Sequence, residues 1–150
     1  LLGALKDVYS EGVQNVFERH RISSRAVREG VRALSLSILA DEHIAAPTVT
    51  TILLPHEVPE MKLRKRILEE YGIAVGVGPV ELGINSFRIG TMGRSAHPSA
   101  VLPVMEALGQ VIRNFGIRCQ PEDGINAAAE VLSEFSTSAL WDEDHDRSNR

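Results

Sequence analysis

The stretch Phe87-Arg88-Ile89-Gly90-Thr91-Met92-Gly93-Arg94 joins a short alternating strand pattern to two glycines. Because side chains alternate along a strand, Phe87 and Ile89 share one face and Arg88 lies on the other. A guanidinium held on a sheet face suits bidentate binding of a carboxylate or phosphate. An exposed strand arginine without any ligand shows the same pattern. Arg88 is therefore the candidate binding residue, and spacing alone leaves both interpretations open.

Outward from this stretch, the patterns predict the order α-α-β-β-α-β-β-α, followed by one short helix. Apolar residues recur at helical spacing, and β-branched runs bounded by glycine or proline predict strands. The predicted helices cover 1–12, 13–34, 60–71, 98–115 and 124–132, and the predicted strands 36–39, 48–54, 73–79 and 86–91. This order predicts an α+β fold, with a small, mainly antiparallel sheet and helices packed on one side. We expect one domain over 1–118, and a short helix with a disordered acidic tail over 119–150.

The second predicted helix combines an apolar stripe with several arginines. Its stripe includes Phe17 and Val31, and we expect Arg19, Arg28 and the other arginines on a solvated face. Gly30 inside this helix costs about 1 kcal/mol relative to alanine, so the helix should depend on packing. In the strongest predicted strand, 48–54, we expect Val49 in the core.

Composition limits the classes of function. The 150 residues are 43% hydrophobic and 24% charged, which suits one globular domain. The net charge of −4 argues against binding to nucleic acid or to an anionic membrane. No apolar run approaches the roughly 20 residues of a membrane span. The single Cys119 cannot form an internal disulfide, which favours a reducing, cytoplasmic location. A chain that opens without Met inside a predicted helix is expected to be part of a longer one.

Several familiar kinds of site are missing from the pattern. Glycines at 72, 76, 78 and 83 lack the sequence of a phosphate-binding loop, and five scattered histidines lack metal-ligand spacing. Ser95 and His97 have no acidic partner or elbow motif nearby. The lysines, at 6, 62 and 65, fall on predicted helices. These patterns therefore predict no nucleotide-binding loop, no metal-binding residue and no hydrolase triad in this chain.

Four segments in this order resemble one family, the class V pyridoxal-phosphate aminotransferases of the alanine–glyoxylate and serine–glyoxylate type, including the ureidoglycine–glyoxylate enzymes. The segments are Glu11-Gly12-Val13-Gln14-Asn15-Val16-Phe17-Glu18-Arg19-His20, Ala46-Pro47-Thr48-Val49-Thr50, Tyr71-Gly72-Ile73-Ala74-Val75-Gly76 and Phe87-Arg88-Ile89-Gly90-Thr91-Met92-Gly93. The loop from Gly76 to Glu81 departs from the family pattern, because it has lost some of the family's glycines and Glu81 adds a negative charge.

The resemblance implies the small C-terminal domain of a fold-type-I enzyme that works as a homodimer. It implies transfer of an amino group from alanine, serine or ureidoglycine to glyoxylate or a related 2-oxo acid. It also implies that Arg88 grips the substrate α-carboxylate, and that pyridoxal phosphate and its Schiff-base lysine belong to an upstream domain. The chain alone is then expected to be inactive. A non-catalytic binding domain that keeps this fold is the alternative.

Overall fold

The computed structural model describes residues 2–134, and within that range it contains five α-helices and four short strands. The helices are α1 (Leu2–Glu11), α2 (Val13–Ala33), α3 (Glu60–Tyr71), α4 (Pro98–Asn114) and α5 (Pro121–Leu132). The strands are β1 (Ser37–Ile38), β2 (Val49–Leu53), β3 (Gly76–Val77) and β4 (Ser86–Gly90). This is the predicted order, with shorter first and third strands than the pattern indicated.

The four strands form one sheet in the order β1-β2-β4-β3, and every neighbouring pair is antiparallel. The central pair β2–β4 has the register Val49↔Gly90 through Leu53↔Ser86, which sets Thr51 opposite Arg88. On the other side of β4, Gly76 lies opposite Arg88. The predicted α+β class and antiparallel sheet are thus confirmed, and Arg88 lies on a strand with neighbours on both sides.

The inner face of the sheet forms a single core with the helices. Ile52, Phe87 and Ile89 are buried with apolar side chains of α2, α3 and α4. The expectation that Val49 belongs to this core is wrong. Burial alternates along β2, so Thr50 and Ile52 are buried whereas Val49 is only half-buried on the outer face.

Helix α2 buries a different stripe from the one expected at its first turns. Phe17 is 63% exposed, whereas Arg19 and Arg28 are each only 7% exposed. The expectation of a solvated arginine face is therefore wrong for these two residues. Arg19 precedes Ile22 and Ala26 by three and seven positions, so all three lie on one side of the helix. Its burial follows from this helical spacing.

Helices α2, α4 and α5 cross at close range because each has a glycine at the crossing, namely Gly30, Gly109 and Gly124. A Cβ on Gly109 of α4 would lie 2.7 Å from Pro121 Cα, and one on Gly124 of α5 would lie 2.7 Å from Leu34 Cγ.

Helix α5 begins at Pro121, three residues before its predicted start, because proline suits the first helical position. Its Ala128 and Leu132 join the common core. The division at residue 118 stays a prediction, and the predicted tail from residue 135 lies outside the described residues.

Gly30→Ala should lower the free energy of unfolding by about 1–3 kcal/mol despite the better helix propensity of alanine. The added Cβ would lie 2.9 Å from the backbone oxygen of Gly124 and 2.5 Å from Met105 Sδ, and the backbone oxygen cannot move without shifting α5. Denaturant unfolding measures the change. Gly3→Ala is the matched control, since a Cβ there meets nothing within 4 Å. Equal stability of the two variants would contradict the close helix crossing.

Candidate functional site

Arg88 projects from the outer face of the sheet. Its strand neighbours Phe87 and Ile89 are buried on the inner face, and Arg88 itself is exposed, as the alternation predicted. The residues opposite it are Thr51 on β2 and Gly76 on β3. A short side chain on one side and none on the other leave open space around the guanidinium.

A backbone carbonyl fixes the direction of the Arg88 side chain. Arg88 Nε donates a hydrogen bond to the Val77 oxygen at 2.6 Å. No carboxylate among residues 2–134, Glu81 included, forms an ion pair with Arg88. Because Nε is engaged and no acidic side chain competes, the two terminal nitrogens remain able to donate to an added carboxylate.

The position of the Val77 carbonyl depends on Gly78. The Gly78 amide donates to the Ser86 oxygen at 3.2 Å, so the chain passes very close to the start of β4. A Cβ on Gly78 would lie 2.6 Å from the Ser86 oxygen and 2.1 Å from Ser86 Oγ. Glycine is therefore required here for close backbone approach, which is one of its common uses. The glycine-rich segment serves the geometry of Arg88, and no described feature makes it a phosphate loop.

Arg19 holds the turn that follows β4. Its guanidinium forms an ion pair with Glu11 and donates to the Gly93 oxygen at 2.6 Å and the Ala96 oxygen at 3.1 Å. This arginine was expected on a solvated face. The signals that could have identified it are its place on the buried side of α2 and the Glu11 eight residues before it.

His20 contacts the same turn. Its Nε2 accepts a hydrogen bond from the Gly93 amide at 3.2 Å, and its Nδ1 lies 2.6 Å from the Val16 oxygen. A nitrogen that accepts from an amide carries no proton, so Nδ1 must be the donor to Val16. The motif from Glu11 to His20 thus fixes the backbone just beyond the Arg88 strand.

A cavity with a volume of about 330 Å³ lies between α2, β4 and α4. Its lining is mainly apolar, with Val27, Ile73, Val75, Ile89, Val101 and Val104 among its residues. Thr91, Ser95 and Ser99 add hydroxyl groups, and no lining residue is charged. The cavity therefore contains no charged side chain that could act as a general acid or base.

The other nucleophilic or titratable groups considered from the sequence do not form a catalytic cluster among residues 2–134. His97 Nδ1 accepts from the Ser99 amide at 3.2 Å and caps α4. Burial raises the pKa of the Cys119 thiol, so the reactive thiolate is scarce at neutral pH. In residues 2–134, no group of three His, Cys, Asp or Glu side chains could hold a metal ion.

The three lysines all lie on exposed helix positions. Lys6 belongs to α1, and Lys62 and Lys65 belong to α3. Lys65 Nζ is 3.6 Å from Glu69. No lysine lines the 330 Å³ cavity. As for membranes, none of the helices in the described part of the chain has the length and apolar character needed to span one.

Similar known proteins include several transaminases, together with proteins named as soluble hydrogenase subunits from Synechococcus and Anabaena cylindrica. The chain is 35% identical over 128 residues to the pyridoxamine–pyruvate transaminase of Mesorhizobium japonicum, which covers 84% of this chain and 33% of that protein. It is 33% identical over 132 residues to the serine–glyoxylate aminotransferase of Methylorubrum extorquens, covering 87% of this chain and 33% of that one. No protein-family model matches the chain.

A solved structure agrees with these relatives. The crystal structure of ureidoglycine–glyoxylate aminotransferase from Bacillus subtilis superposes with a TM-score of 0.80 at 29% identity, covering 85% of this chain and 33% of that one. The chain therefore spans about a third of the length of the relatives it matches. The resemblance drawn from the four sequence segments is confirmed, and in sequence and fold this chain corresponds to the small C-terminal domain of the class V aminotransferases.

Proposed function

We propose that this chain supplies the substrate-carboxylate site of a pyridoxal-phosphate-dependent aminotransferase. The enzyme transfers an amino group from a small amino acid to glyoxylate or a related 2-oxo acid. One observation carries the proposal: Arg88 is exposed beside Gly76, its Nε is held by the Val77 oxygen, and no described carboxylate neutralises it. The names of the relatives, which act on glyoxylate or pyruvate, support the same substrate class.

The chemistry of Arg88 suits this role. Both substrates and both products of a transamination carry a carboxylate next to the reacting carbon. A guanidinium can bind the two oxygens of that carboxylate through parallel hydrogen bonds, which fixes direction as well as position. Since the side chain is already oriented by Val77, less conformational entropy is lost when substrate binds. Arg88 thus acts by binding and orienting the substrate, and takes no part in proton transfer.

The described residues do not form a site for pyridoxal phosphate. A Schiff base with the cofactor requires a lysine in an enclosed pocket, whereas Lys6, Lys62 and Lys65 are exposed on helices and none of them lines the 330 Å³ cavity. We therefore assign cofactor binding to a part of the full-length protein outside these 150 residues. The cofactor, when bound, supplies the electron sink for the amino transfer.

The uncovered apolar face of helix α1 supports the proposal that the enzyme is a homodimer. No residue of α1 is buried by the rest of the described chain. Leu2, Leu5 and Tyr9 are 69%, 46% and 78% exposed at helical spacing. An apolar helix face without cover is typical of an interface with another domain or subunit. We propose that the rest of the enzyme or its partner subunit covers this face.

The test is an amino-transfer assay on the full-length protein that contains this chain. Alanine, serine and ureidoglycine serve as donors, glyoxylate and pyruvate as acceptors, and the amino acid products are measured by chromatography. We expect transfer with at least one of these pairs, and none with the 150-residue chain alone. If the cofactor-loaded full-length protein transfers no amino group with any pair, a non-catalytic binding domain is the better interpretation.

A further inference from the structure

Strand β3 is the last strand of the sheet, so one of its edges has no strand neighbour among the described residues. Gly76 lies opposite Arg88 in the β3–β4 pair, and the Gly78 amide donates to the Ser86 oxygen at 3.2 Å. In an antiparallel pair, residues that bond across the strands alternate with residues whose backbone groups point away from the partner. Gly76 and Gly78 therefore face β4, whereas the amide and the carbonyl of Val77 both face the open edge.

The Arg88 side chain crosses β3 to reach this edge. Its Nε donates to the Val77 oxygen, which points away from β4. The residue that it crosses is Gly76, where a Cβ would lie 3.6 Å from Arg88 Cβ, so a larger side chain would stand beside the arginine on the same face. Gly76, Val77 and Arg88 are all exposed. The guanidinium therefore lies at a sheet edge that an added ligand can reach.

Only one of the two edge groups of Val77 has a partner. Its carbonyl accepts from Arg88 Nε, but no group in residues 2–134 accepts a hydrogen bond from its amide. A neighbouring strand would supply both a donor for the carbonyl and an acceptor for the amide of such a residue. Arg88 supplies the donor alone. An acceptor held next to the Arg88 guanidinium would complete the pattern.

A carboxylate bound to Arg88 is an acceptor of this kind. The guanidinium forms no ion pair within residues 2–134, so its terminal nitrogens are able to bind an added anion. A carboxylate has two oxygens with several lone pairs, and it can accept from a guanidinium and from an amide at once. The amide and carbonyl of Val77 point the same way, and only Cα and the carbonyl carbon separate them. The Val77 amide is thus next to the atom that orients the guanidinium.

We propose that the Val77 amide is a second donor to the substrate carboxylate. One carboxylate oxygen accepts from the terminal nitrogens of Arg88, and the other accepts from the Val77 N–H. The inference rests on the proposed function and adds a positioning group to the same site. Two donors at a fixed angle set the plane of the carboxylate, and with it the direction of the bonds at the reacting carbon. The amide takes no part in proton transfer.

The test is Val77→Pro in the full-length enzyme, which removes the amide hydrogen. Proline is tolerated on an edge strand where the missing N–H faces outward, and the preceding glycine accepts an extended conformation. We expect kcat/KM for alanine to fall about tenfold, the usual effect of one hydrogen bond to a charged group. The loss should appear mainly in KM, because the carboxylate stays attached throughout the reaction. The melting temperature and the cofactor absorbance should stay near the parent values.

Val77→Ala is the matched control, because it keeps the N–H and shortens only the side chain, and its kcat/KM should stay near the parent value. Two reagents that react with the bound cofactor show whether the loss is specific to a carboxylate. Val77→Pro should react about tenfold more slowly with aminooxyacetate but at the parent rate with methoxyamine, which lacks the carboxylate. If Val77→Pro does not fold, a backbone ester at residue 77, made with the 2-hydroxy analogue of valine, removes the same N–H and should give the same results.

Four outcomes would overturn the proposal. Parent-like kinetics in Val77→Pro, together with a large loss in Arg88→Lys, would remove the amide from the site and leave the proposed function standing. Equal losses with aminooxyacetate and methoxyamine would assign the effect to a displaced backbone. A loss in Val77→Ala as large as that in Val77→Pro would assign it to the side chain. Parent-like kinetics in both Val77→Pro and Arg88→Lys would refute the proposed function as well.

Discussion

Arg88→Lys in the full-length enzyme should lower kcat/KM by about 30- to 1,000-fold for every amino donor. Loss of a well-oriented charge-assisted hydrogen bond to a bound carboxylate costs about 2–4 kcal/mol. Lysine keeps the charge but lacks the planar fork, and its ammonium cannot also reproduce the Nε bond to Val77. The carboxylate stays attached throughout the reaction, so the loss should appear mainly in KM, with a part in kcat from misorientation.

Two readouts separate binding from a structural effect. The visible absorbance of the bound cofactor should be unchanged in Arg88→Lys, since we place the cofactor outside this chain. Arg21→Lys is the matched control, because Arg21 is an exposed arginine that pairs with Glu18 within α2. It should keep kcat/KM within twofold of the parent. Parent-like kinetics in Arg88→Lys would refute the carboxylate role, and loss of the cofactor absorbance would make Arg88 structural.

Arg19→Met should lower the free energy of unfolding by about 2–4 kcal/mol. The side chain is 8% exposed and its partner Glu11 is 23% exposed, so methionine would leave a partly buried carboxylate without its counter-charge. The oxygens of Gly93 and Ala96 would lose their donor as well. We place the cost below that of a fully buried pair because water can reach Glu11. Denaturant unfolding of the 150-residue chain measures it.

The control for this prediction is another arginine on the same helix. Arg21→Met removes an ion pair whose members are 52% and 38% exposed, and should change stability by less than about 0.5 kcal/mol. Adding Glu11→Gln to Arg19→Met completes a double-mutant cycle that isolates the pair. A loss of under 0.5 kcal/mol in Arg19→Met would show that water replaces the arginine without cost.

The local alternation of residues was enough to orient Arg88 but not to orient β2. In β4, the large apolar Phe87 and Ile89 flank one charged residue, so only one face can be buried. In β2, β-branched residues occupy both alternating sets, and Val49 looked as suitable for the core as Ile52. Tertiary packing selected the set that contains Thr50. Such a choice depends on contacts with α2 that are distant in sequence.

The two buried arginines of α2 show a different limit. Helical spacing places Arg19 with Ile22 and Ala26, but charged residues are rarely buried, and composition therefore favoured a solvated face. What makes burial tolerable is a set of acceptors far along the chain, among them the Gly93 and Ala96 oxygens. The lack of a hydrogen-bond partner for Arg28 Nη1 and Thr50 Oγ1 could not be predicted either, because it is a property of the folded structure.

The break between α1 and α2 at Gly12, where φ is +86°, has a consequence for motion. Glu11 belongs to α1, Arg19 to α2, and the oxygens bound by Arg19 to the turn just after β4. A change in the direction of α1 about Gly12 must either separate Glu11 from Arg19 or pull on that turn. The ion pair therefore couples the direction of α1 to the position of this turn. A domain or subunit that contacts α1 would then influence the backbone at the end of the Arg88 strand.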